Sequence, residues 1–414
     1  MQFRIATIVS GLRLDESLMI NGWDARKAAW EALGHERRYE IVSQRIDETI
    51  EEAVAADAAG FAVWGTQEQH FIAPDSLSPG NETLFAAIAA RTKRITLRPH
   101  VWVLPLHHPV NVAERIGFMD VLSDGRFEFG VGRGNSWLSN DAFGHPSDEI
   151  DTYEMTTEAL QIIRKACTEF EFEHHGKYWQ IPTRQLQPQP RKLPPVWFAA
   201  HSLRAHEYAG EHRMKLMRMG IPGVPAEGDW EAGRQVEAYW KAFEHGEPIF
   251  PEHNEGGVAA GGALGLCVED ETDPALESLA EASRTVSGAF ADRVGPSYLK
   301  NLMREGGISE AAYDDLLSRH FEQPASRPAG ATPARAGVAP MNPEQMIARI
   351  RELEATGITQ VTCSFDAFPH ELAMQSIELM GRYVIPKFDE GTPQTSDERT
   401  LSSTTVTASG TAGD

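Results

Sequence analysis

The chain has 414 residues, of which 41% are hydrophobic and 24% charged, and its formal net charge is −22. So acidic a surface repels phosphate backbones and anionic lipids, which disfavours nucleic-acid and membrane partners. The three cysteines, Cys167, Cys267 and Cys363, are far apart and odd in number, as is typical of reduced thiols in a cytoplasmic protein. Residues 1–14 lack the basic and apolar regions of a secretory leader, and no stretch is apolar enough to span a membrane.

Short apolar runs alternate with longer helical patterns through most of the chain. Such alternation is typical of a parallel sheet covered by helices, and eight units predict a closed (β/α)8 TIM barrel. A doubly wound open sheet is the alternative, but no glycine-rich turn follows the first strand. The predicted strands are 3–9, 61–67, 95–104, 126–132, 195–200, 215–219, 262–269 and 360–367. The predicted helices are 40–59, 81–92, 109–122, 154–170, 202–212, 230–245 and 343–356.

Several stretches are additions to this single barrel, which we expect to cover residues 1–388. Residues 11–39 form a long insert after the first strand, and its aromatic residues suggest that it packs as a lid. The segment 271–321 has a helical pattern, whereas 322–342 is rich in Pro, Ala and Gly and predicts a mobile loop. The tail from Asp389 has no apolar periodicity and is predicted to be disordered.

The second predicted strand is followed by Glu68, Gln69 and His70. A parallel barrel builds its active site at the carboxyl ends of its strands, so these residues are candidates for catalysis. His70 is suited to proton transfer because the ordinary pKa of histidine lies near neutrality. The alternative is that Glu68 and His70 satisfy each other and cap the next segment.

The third predicted strand contains His100, Val101 and Trp102 and leads to the histidine pair His107 and His108. Neighbouring side chains on an extended strand point in opposite directions, and no carboxylate or cysteine lies at a useful spacing, so a metal site is not expected. The prolines that flank the pair instead indicate a turn and a helix start.

The fourth and fifth predicted strands end in groups that suit an anion. Arg133 lies between two glycines, including Gly134, where a backbone can approach a ligand closely and a guanidinium can bind phosphate. Ser202, with His201 before it and Arg204 two residues later, begins a helix whose first N–H groups could bind phosphate. A surface ion pair for Arg133 and a plain helix cap for Ser202 are the alternatives. The sequence contains no GxSxG, Walker, HExxH or CxxC motif.

Three segments resemble the bacterial luciferase-like monooxygenase family. They are EQHF at 68–71, VLPLHHPVNVAERIGFMDVLSDGRFEFGVGRG at 103–134 and TGITQVTCSFDAF at 356–368. Their order and spacing match from residue 3 to about 386, and the block at 103–134 is the most specific. The chain is more similar to luciferase α subunits than to the sulfonate-oxygenase branch.

The resemblance implies that reduced FMN binds at the carboxyl ends of the strands. It assigns the flavin phosphate to Arg133 and Ser202, and it places Tyr153 where family members carry a further phosphate-binding arginine, a role that Arg204 could take over here. It also implies a cis peptide bond at His100–Val101 beneath the flavin ring.

Gln69 stands where luciferase commonly has a catalytic histidine, so light emission is not expected. Trp102, His70, Gln69 and Trp137 are our candidates for lining the substrate cavity.

The implied activity is that of an FMNH2-dependent monooxygenase that uses dioxygen through a flavin C4a-peroxide to oxygenate a small organic substrate. A separate NAD(P)H:flavin reductase would supply FMNH2, because the chain has no nucleotide-binding fold. A homodimer is expected because the family usually pairs barrels. A deazaflavin-dependent oxidoreductase and a non-catalytic flavin-binding protein remain alternatives.

Overall fold

The computed structural model describes residues 1–388 except 21, 135–136, 146–149, 220–231, 261–263, 275, 277–295, 297–298, 301, 305–307, 319–339 and 367. The predicted mobile loop therefore lies almost wholly outside the described residues, as does the predicted disordered tail. Most of the stretch 271–321 lies outside them too.

Eleven strands are present among the described residues. They are β1 (Gln2–Thr7), β2 (Val63–Thr66), β3 (Thr96–Leu97), β4 (Trp102–Val103), β5 (Phe129–Gly132), β6 (Phe172–His175), β7 (Gln180–Arg184), β8 (Val196–Ala200), β9 (Lys215–Arg218), β10 (Val258–Ala260) and β11 (Gln360–Cys363).

The described helices cover or connect these strands. They are α1 (Trp23–Ala32), α2 (Gly34–Ala59), α3 (Asn81–Ala89), α4 (Pro109–Ser123), α5 (Trp137–Ala142), α6 (Thr152–Thr168), α7 (Leu203–Glu211), α8 (Ala232–His245), α9 (Glu310–Leu317), α10 (Pro343–Glu354) and α11 (His370–Leu379).

Nine of the strands form one parallel sheet that curls into a barrel, which confirms the predicted fold. Their order is β3-β2-β1-β11-β10-β9-β8-β5-β4. The two end strands, β3 and β4, are pieces of the same predicted third strand: β3 pairs with β2, and β4 pairs with β5. A parallel bridge from Leu97 in β3 to Phe127, just before β5, joins the two ends. With β3 and β4 counted as one strand, the sheet therefore has the eight strands that a (β/α)8 barrel requires.

The seventh strand was predicted at the wrong place. The sequence indicated 262–269, whereas β10 covers Val258–Ala260 and pairs with β9 and β11. Leu264 and Cys267, within the predicted range, make isolated bridges to Cys363 and Met341. Both stretches are apolar, so only pairing with the neighbouring strands distinguishes them.

An antiparallel hairpin of β6 and β7 was not predicted at all. It follows α6 and lies outside the barrel sheet. The buried Glu158 of α6 fastens its turn, because the carboxylate accepts hydrogen bonds from the backbone N–H groups of Lys177, Tyr178 and Trp179 at 2.9–3.2 Å. His174 contacts the same carboxylate.

The insert 11–39 forms two short 3-10 turns, α1 and the first turn of α2. Leu12 and Leu18 pack with Ile41 of α2 in a small cluster separate from the main core, and Trp30 lies against it. Tyr39, by contrast, is exposed. The insert thus has its own apolar support beside the strand ends.

Candidate active site

The segments that follow β2, β4, β5 and β8 emerge at the same edge of the barrel, because parallel strands all end there. Glu68 and His70 follow β2, and His107 follows β4. Arg133 follows β5, and Ser202 follows β8. These segments carry most of the residues that the sequence singled out.

The carboxylate of Glu68 is the centre of a buried hydrogen-bonded cluster. Its Oε1 lies 2.8 Å from Nε2 of His70 and 2.9 Å from Nε2 of His107, and its Oε2 accepts the N–H of Val103 at 2.8 Å. Burial disfavours the charged carboxylate, but the hydrogen bonds from His107 and His70 outweigh burial and place the pKa of Glu68 below its ordinary value. Glu68 therefore stays ionised at neutral pH.

His107 is the member of this cluster that the sequence did not reveal. The prediction of a turn and helix start holds for His108, whose ring caps α4 by accepting the N–H of Val110, with Pro109 as the first helical residue. Sequence spacing did not reveal a carboxylate beside His107, because Glu68 is 39 residues away in the chain but in contact with His107 in the fold. A histidine after one strand and a glutamate after the preceding strand were the available signal.

Gln69 makes its hydrogen bonds outside the Glu68 cluster. Its side-chain amide donates to Oε1 of Gln67 at 3.2 Å, and its backbone N–H donates to Ser78. The ring of His70 packs edge-on against Phe143, the residue that follows α5, with a centroid separation of 4.9 Å. Of the candidate catalytic residues, Glu68 and His70 are therefore brought together, and Gln69 lies beside them.

The peptide bond between His100 and Val101 is cis. His100 lies inside the barrel, where Nε2 faces Arg98 at 3.4 Å and Arg4 at 3.5 Å. Burial, and then the positive charges of Arg4 and Arg98, hold the pKa of His100 well below its usual range. Because guanidinium groups only donate, Nε2 accepts and Nδ1 carries the proton of the neutral ring.

The Nδ1 atom of His100 is buried and has no hydrogen-bond partner among the described residues. A buried donor without a partner costs free energy unless a ligand or water satisfies it. Gly65 leaves room for this ring, since a Cβ at that position would lie 3.0 Å from Nδ1.

Val101 and Trp102 face opposite sides of the barrel wall. Val101 packs against the interior cluster of Trp197, Met217 and Ala259, and a Cβ on Gly132 would lie only 2.7 Å from its Cγ2.

Trp102 instead packs against Phe127 and Phe129, in the layer between sheet and helices, and its indole N–H donates to Asn81 of α3. The expectation that the Trp102 side chain lines the cavity is thus incorrect, because successive residues of an extended strand alternate sides. The side chain of Trp137, the other tryptophan proposed there, lies outside the described residues.

Two arginines converge on one aromatic ring at the ends of β5 and β8. The guanidinium carbon of Arg133 lies 4.2 Å from the ring centroid of Tyr153, and that of Arg204 lies 5.6 Å from it. Arg133 also donates to the hydroxyl of Thr152 at 3.1 Å. Gly134, which follows Arg133, has a φ of +74°, a backbone conformation that favours glycine.

Ser202 caps α7, and its hydroxyl oxygen accepts the N–H of Ala205 at 3.2 Å. The helix-cap alternative for Ser202 is therefore observed. The first turn of α7 contains Arg204, which also forms a 2.8 Å ion pair with Glu211. The free N–H groups of a helix start add positive potential to that of the two arginines. The sequence marked Tyr153 only as a departure from the family pattern and gave no sign that it joins them.

Glu48, Glu52 and His370 form the one candidate metal-ligand cluster among the described residues. Arg45 and Arg13 are paired with the two carboxylates, with Arg45 2.9 Å from Glu52 and Arg13 2.7 Å from Glu48. The cluster is therefore already compensated by protein cations, and it ties α2 to α11 rather than offering free ligands.

Among the described residues, no helix is both long enough and apolar enough to cross a membrane.

The family model for luciferase-like monooxygenases matches residues 27–360. The chain belongs to this family. The oxygenase component of the flavin-dependent trigonelline monooxygenase of Acinetobacter baylyi is 31% identical over 169 residues, which cover 40% of this chain and 46% of that protein. The alkanal monooxygenase alpha chain of Aliivibrio fischeri is 25% identical over 319 residues, covering 74% and 83%. The chain thus spans about half the length of the trigonelline enzyme.

Several solved enzyme structures share the fold. The monooxygenase RslO1 of Streptomyces bottropensis superposes with a TM-score of 0.66 at 19% identity, covering 94% of this chain and all of that one. The oxygenating constituent of 3,6-diketocamphane monooxygenase from Pseudomonas putida, in complex with FMN, superposes with a TM-score of 0.59 at 23% identity. The match covers 83% of this chain and 94% of that one. A coenzyme F420-dependent tetrahydromethanopterin reductase from Methanopyrus kandleri superposes with a TM-score of 0.59 at 20% identity. The match covers 83% of this chain and 96% of that one.

Proposed function

We propose that this luciferase-like protein is the oxygenase component of a two-component monooxygenase that uses reduced FMN and dioxygen to oxygenate a small organic substrate. The observation that carries the proposal is the pair of guanidinium groups, Arg133 and Arg204, held around Tyr153 beside the start of α7. Such an arrangement suits the dianionic phosphate of FMN.

The residues inside the barrel fit the rest of the cofactor. The orphaned Nδ1–H of His100 is a donor that a polar atom of a bound ring system would satisfy. The side chain of Val101 with Trp197 and Met217 offers an apolar surface next to it. We assign the phosphate to Arg133, Ser202 and Arg204, with Gly134 allowing close backbone approach, and the ring to the segment from His100 to Trp102, where Trp102 contributes only backbone.

When bound, FMN in its reduced form supplies the electrons that activate dioxygen. The protein contributes binding, orientation, exclusion of water and proton transfer. Arg133 and Arg204 hold the phosphate end, while Phe71 and Phe143, which lie against His70, limit access of water to that imidazole. His70, backed by Glu68, is the group that we expect to give or take a proton.

The test is anaerobic titration of the protein with reduced FMN and, separately, with a reduced deazaflavin, followed by rapid mixing with oxygenated buffer. We expect reduced FMN to bind and its oxidation by dioxygen to follow a time course different from that of free reduced FMN. Binding of the deazaflavin alone, with no response to dioxygen, would instead support the deazaflavin-dependent oxidoreductase. Flavin that binds and never turns over with any reductant would support the non-catalytic alternative.

We also propose that the chain forms a homodimer through α4. Phe118, Val121 and Leu122 are 59%, 63% and 53% exposed, and their spacing places them on one side of the helix. An apolar face of this kind on a soluble protein commonly meets a partner, and two-fold homodimers are the most frequent assemblies. Light scattering should report a dimer for the wild type and a monomer for Phe118→Lys. A wild-type monomer at micromolar concentration would contradict this assignment.

A further inference from the structure

Two imidazoles from different segments share the carboxylate of Glu68. His70 comes from the segment after β2, and His107 from the segment after β4. The Glu68 side chain is 1% exposed, and those of His70 and His107 are 12% and 16% exposed. Because these side chains are largely shielded from water, a change in one hydrogen-bond partner of the carboxylate strongly affects its hydrogen bond to the other partner.

Arg115 fixes the direction of these hydrogen bonds. Its Nη1 lies 3.3 Å from Nδ1 of His107 and 3.4 Å from a carboxylate oxygen of Glu82 in α3. A guanidinium group can only donate, so Nδ1 of His107 accepts and the proton of its neutral ring lies on Nε2. That Nε2–H then points to Glu68, 2.9 Å away from Oε1 and 3.0 Å from Oε2.

The same reasoning sets the ring of His70. An ionised carboxylate can only accept, so Nε2 of His70 carries a proton towards Oε1 of Glu68. Nδ1 is then the ring atom that remains to exchange a proton with a ligand. A proton accepted there creates an imidazolium whose charge faces the Glu68 carboxylate, and the same proton can be returned to the ligand.

We infer that His107 is a positioning residue that acts on His70 through Glu68, so that His70 presents Nδ1 as its proton-exchanging atom. The catalytic part of this inference rests on the proposed function of His70, whereas the hydrogen-bond order applies to the protein without flavin. The chain Glu82–Arg115–His107–Glu68–His70 includes charged groups from α3, α4 and the two strand-end segments. From the turn that follows α5, the ring of Phe143 packs against His70.

A second Glu–His pair shows what a purely structural arrangement looks like. Glu158 lies 3.2 Å from Nε2 of His174, but it also accepts three backbone N–H groups of the β6–β7 turn. Glu68 accepts one backbone N–H, from Val103, and its other neighbours are the two imidazoles. His174 is therefore a matched control: it is a buried histidine paired with a glutamate away from His70.

The test is nitrogen-15 NMR of histidine-labelled full-length protein without flavin, which reports the tautomer and titration midpoint of each ring. We expect neutral His70 and neutral His107 to be protonated at Nε2 in the wild type. In His107→Leu, the Glu68 carboxylate loses a donor and attracts the His70 imidazolium more strongly, so the midpoint of His70 should rise by about one pH unit. His107→Gln keeps an N–H donor and should restore most of the wild-type midpoint, while His174→Leu should leave it unchanged.

Several outcomes would overturn the inference. A wild-type His70 protonated at Nδ1 would do so without any variant, as would a His70 midpoint that is the same in His107→Leu and the wild type. Activity gives the second readout: the pH profile of kcat should shift upward in His107→Leu, with the KM for reduced FMN unchanged. A shifted midpoint with an unshifted pH profile overturns the catalytic part, whereas a wild type that does not react with FMN and dioxygen overturns the proposed function and leaves the NMR result standing.

Discussion

Arg26 and Asp75 form a fully buried ion pair that ties the insert after β1 to the segment after β2. Nε of Arg26 donates to Oδ1 of Asp75 at 2.9 Å, and Nη2 donates to Oδ2 at 3.3 Å. Nη1 of the same guanidinium donates to the carbonyl of Ile20 at 3.0 Å. This two-pronged contact holds α1 beside the strand ends, so the insert is fixed by a specific polar interaction as well as by its small apolar cluster.

Breaking this pair from one side should be costly. Arg26→Met leaves the Asp75 carboxylate buried without its guanidinium, which we expect to lower the free energy of unfolding by about 3–5 kcal/mol. Urea unfolding followed by circular dichroism measures the loss. Arg37→Met, which breaks partly exposed ion pairs with Asp15 and Glu40 and a hydrogen bond to the carbonyl of Leu14, should lower the midpoint much less. A similar midpoint for both variants would show that the Arg26 pair contributes little.

Removing the guanidinium of Arg133 should weaken flavin binding selectively. We expect Arg133→Ala to weaken binding of reduced FMN by about 1.5–3 kcal/mol, the contribution of a charge-assisted hydrogen bond. Binding of riboflavin, which lacks the phosphate, should hardly change. Arg191→Ala, at an exposed ion pair with Asp124, is the matched control. Equal losses for FMN and riboflavin would remove Arg133 from the phosphate site.

Tyr153 should matter through the two arginines that it supports. Tyr153→Leu removes the ring under both guanidinium groups, and at about 1 kcal/mol for a cation–π contact we expect roughly fivefold weaker binding of FMN. Tyr153→Phe keeps the ring and should bind FMN like the wild type. Isothermal titration with FMN and riboflavin provides the comparison. Wild-type FMN affinity in Tyr153→Leu would show that the arginines hold their places without the ring.

Replacing His70 should separate proton transfer from binding. His70→Asn should bind reduced FMN nearly as the wild type does but turn over about 10²–10⁴-fold more slowly, the usual range for general acid–base catalysis. His108→Asn, which can still cap α4, should keep wild-type turnover. A His70→Asn protein that loses stability and flavin affinity together would indicate a structural role beside Glu68.

His370 should make stability depend on pH in a defined direction. A hydrogen bond with Glu52 raises the pKa of His370, against the opposing effect of burial, and the pKa of Glu52 is lowered to about 2. A pKa raised in the folded state stabilises the protein fully below the unfolded pKa of about 6.5, and this stabilisation is lost as pH rises through the folded pKa.

The difference in melting temperature between wild type and His370→Asn should therefore be larger at about pH 6 than at about pH 9. The exposed His35 of α2 lies outside this contact, and His35→Asn is the control that should change the melting temperature little at either pH. A constant difference for His370→Asn would mean that its charge does not contribute to the contact between α2 and α11.

The order of elements and the edge that carries the site followed from the sequence. Apolar strand runs separated by helical patterns predicted the eight barrel strands, and α4 begins at Pro109 as expected. Both features depend on local composition and capping. The position of β10 did not follow, since residues 258–260 and 262–269 are both apolar and only strand pairing selects between them. The β6–β7 hairpin was missed because its turn is held by Glu158, a contact to another element.

The sequence by itself determined which residue types stand at the strand ends: Glu68 and His70 after β2, Arg133 after β5, Ser202 after β8. Only the tertiary structure decided their partners. His107 contacts Glu68 because neighbouring barrel strands place two segments side by side that are 39 residues apart in the chain. Tyr153 contacts Arg133 and Arg204 because α6 begins between the ends of β5 and β8. A hydrogen bond acts over about 3 Å, so such pairings depend on how the strands are arranged around the barrel. Separation along the sequence does not specify that arrangement.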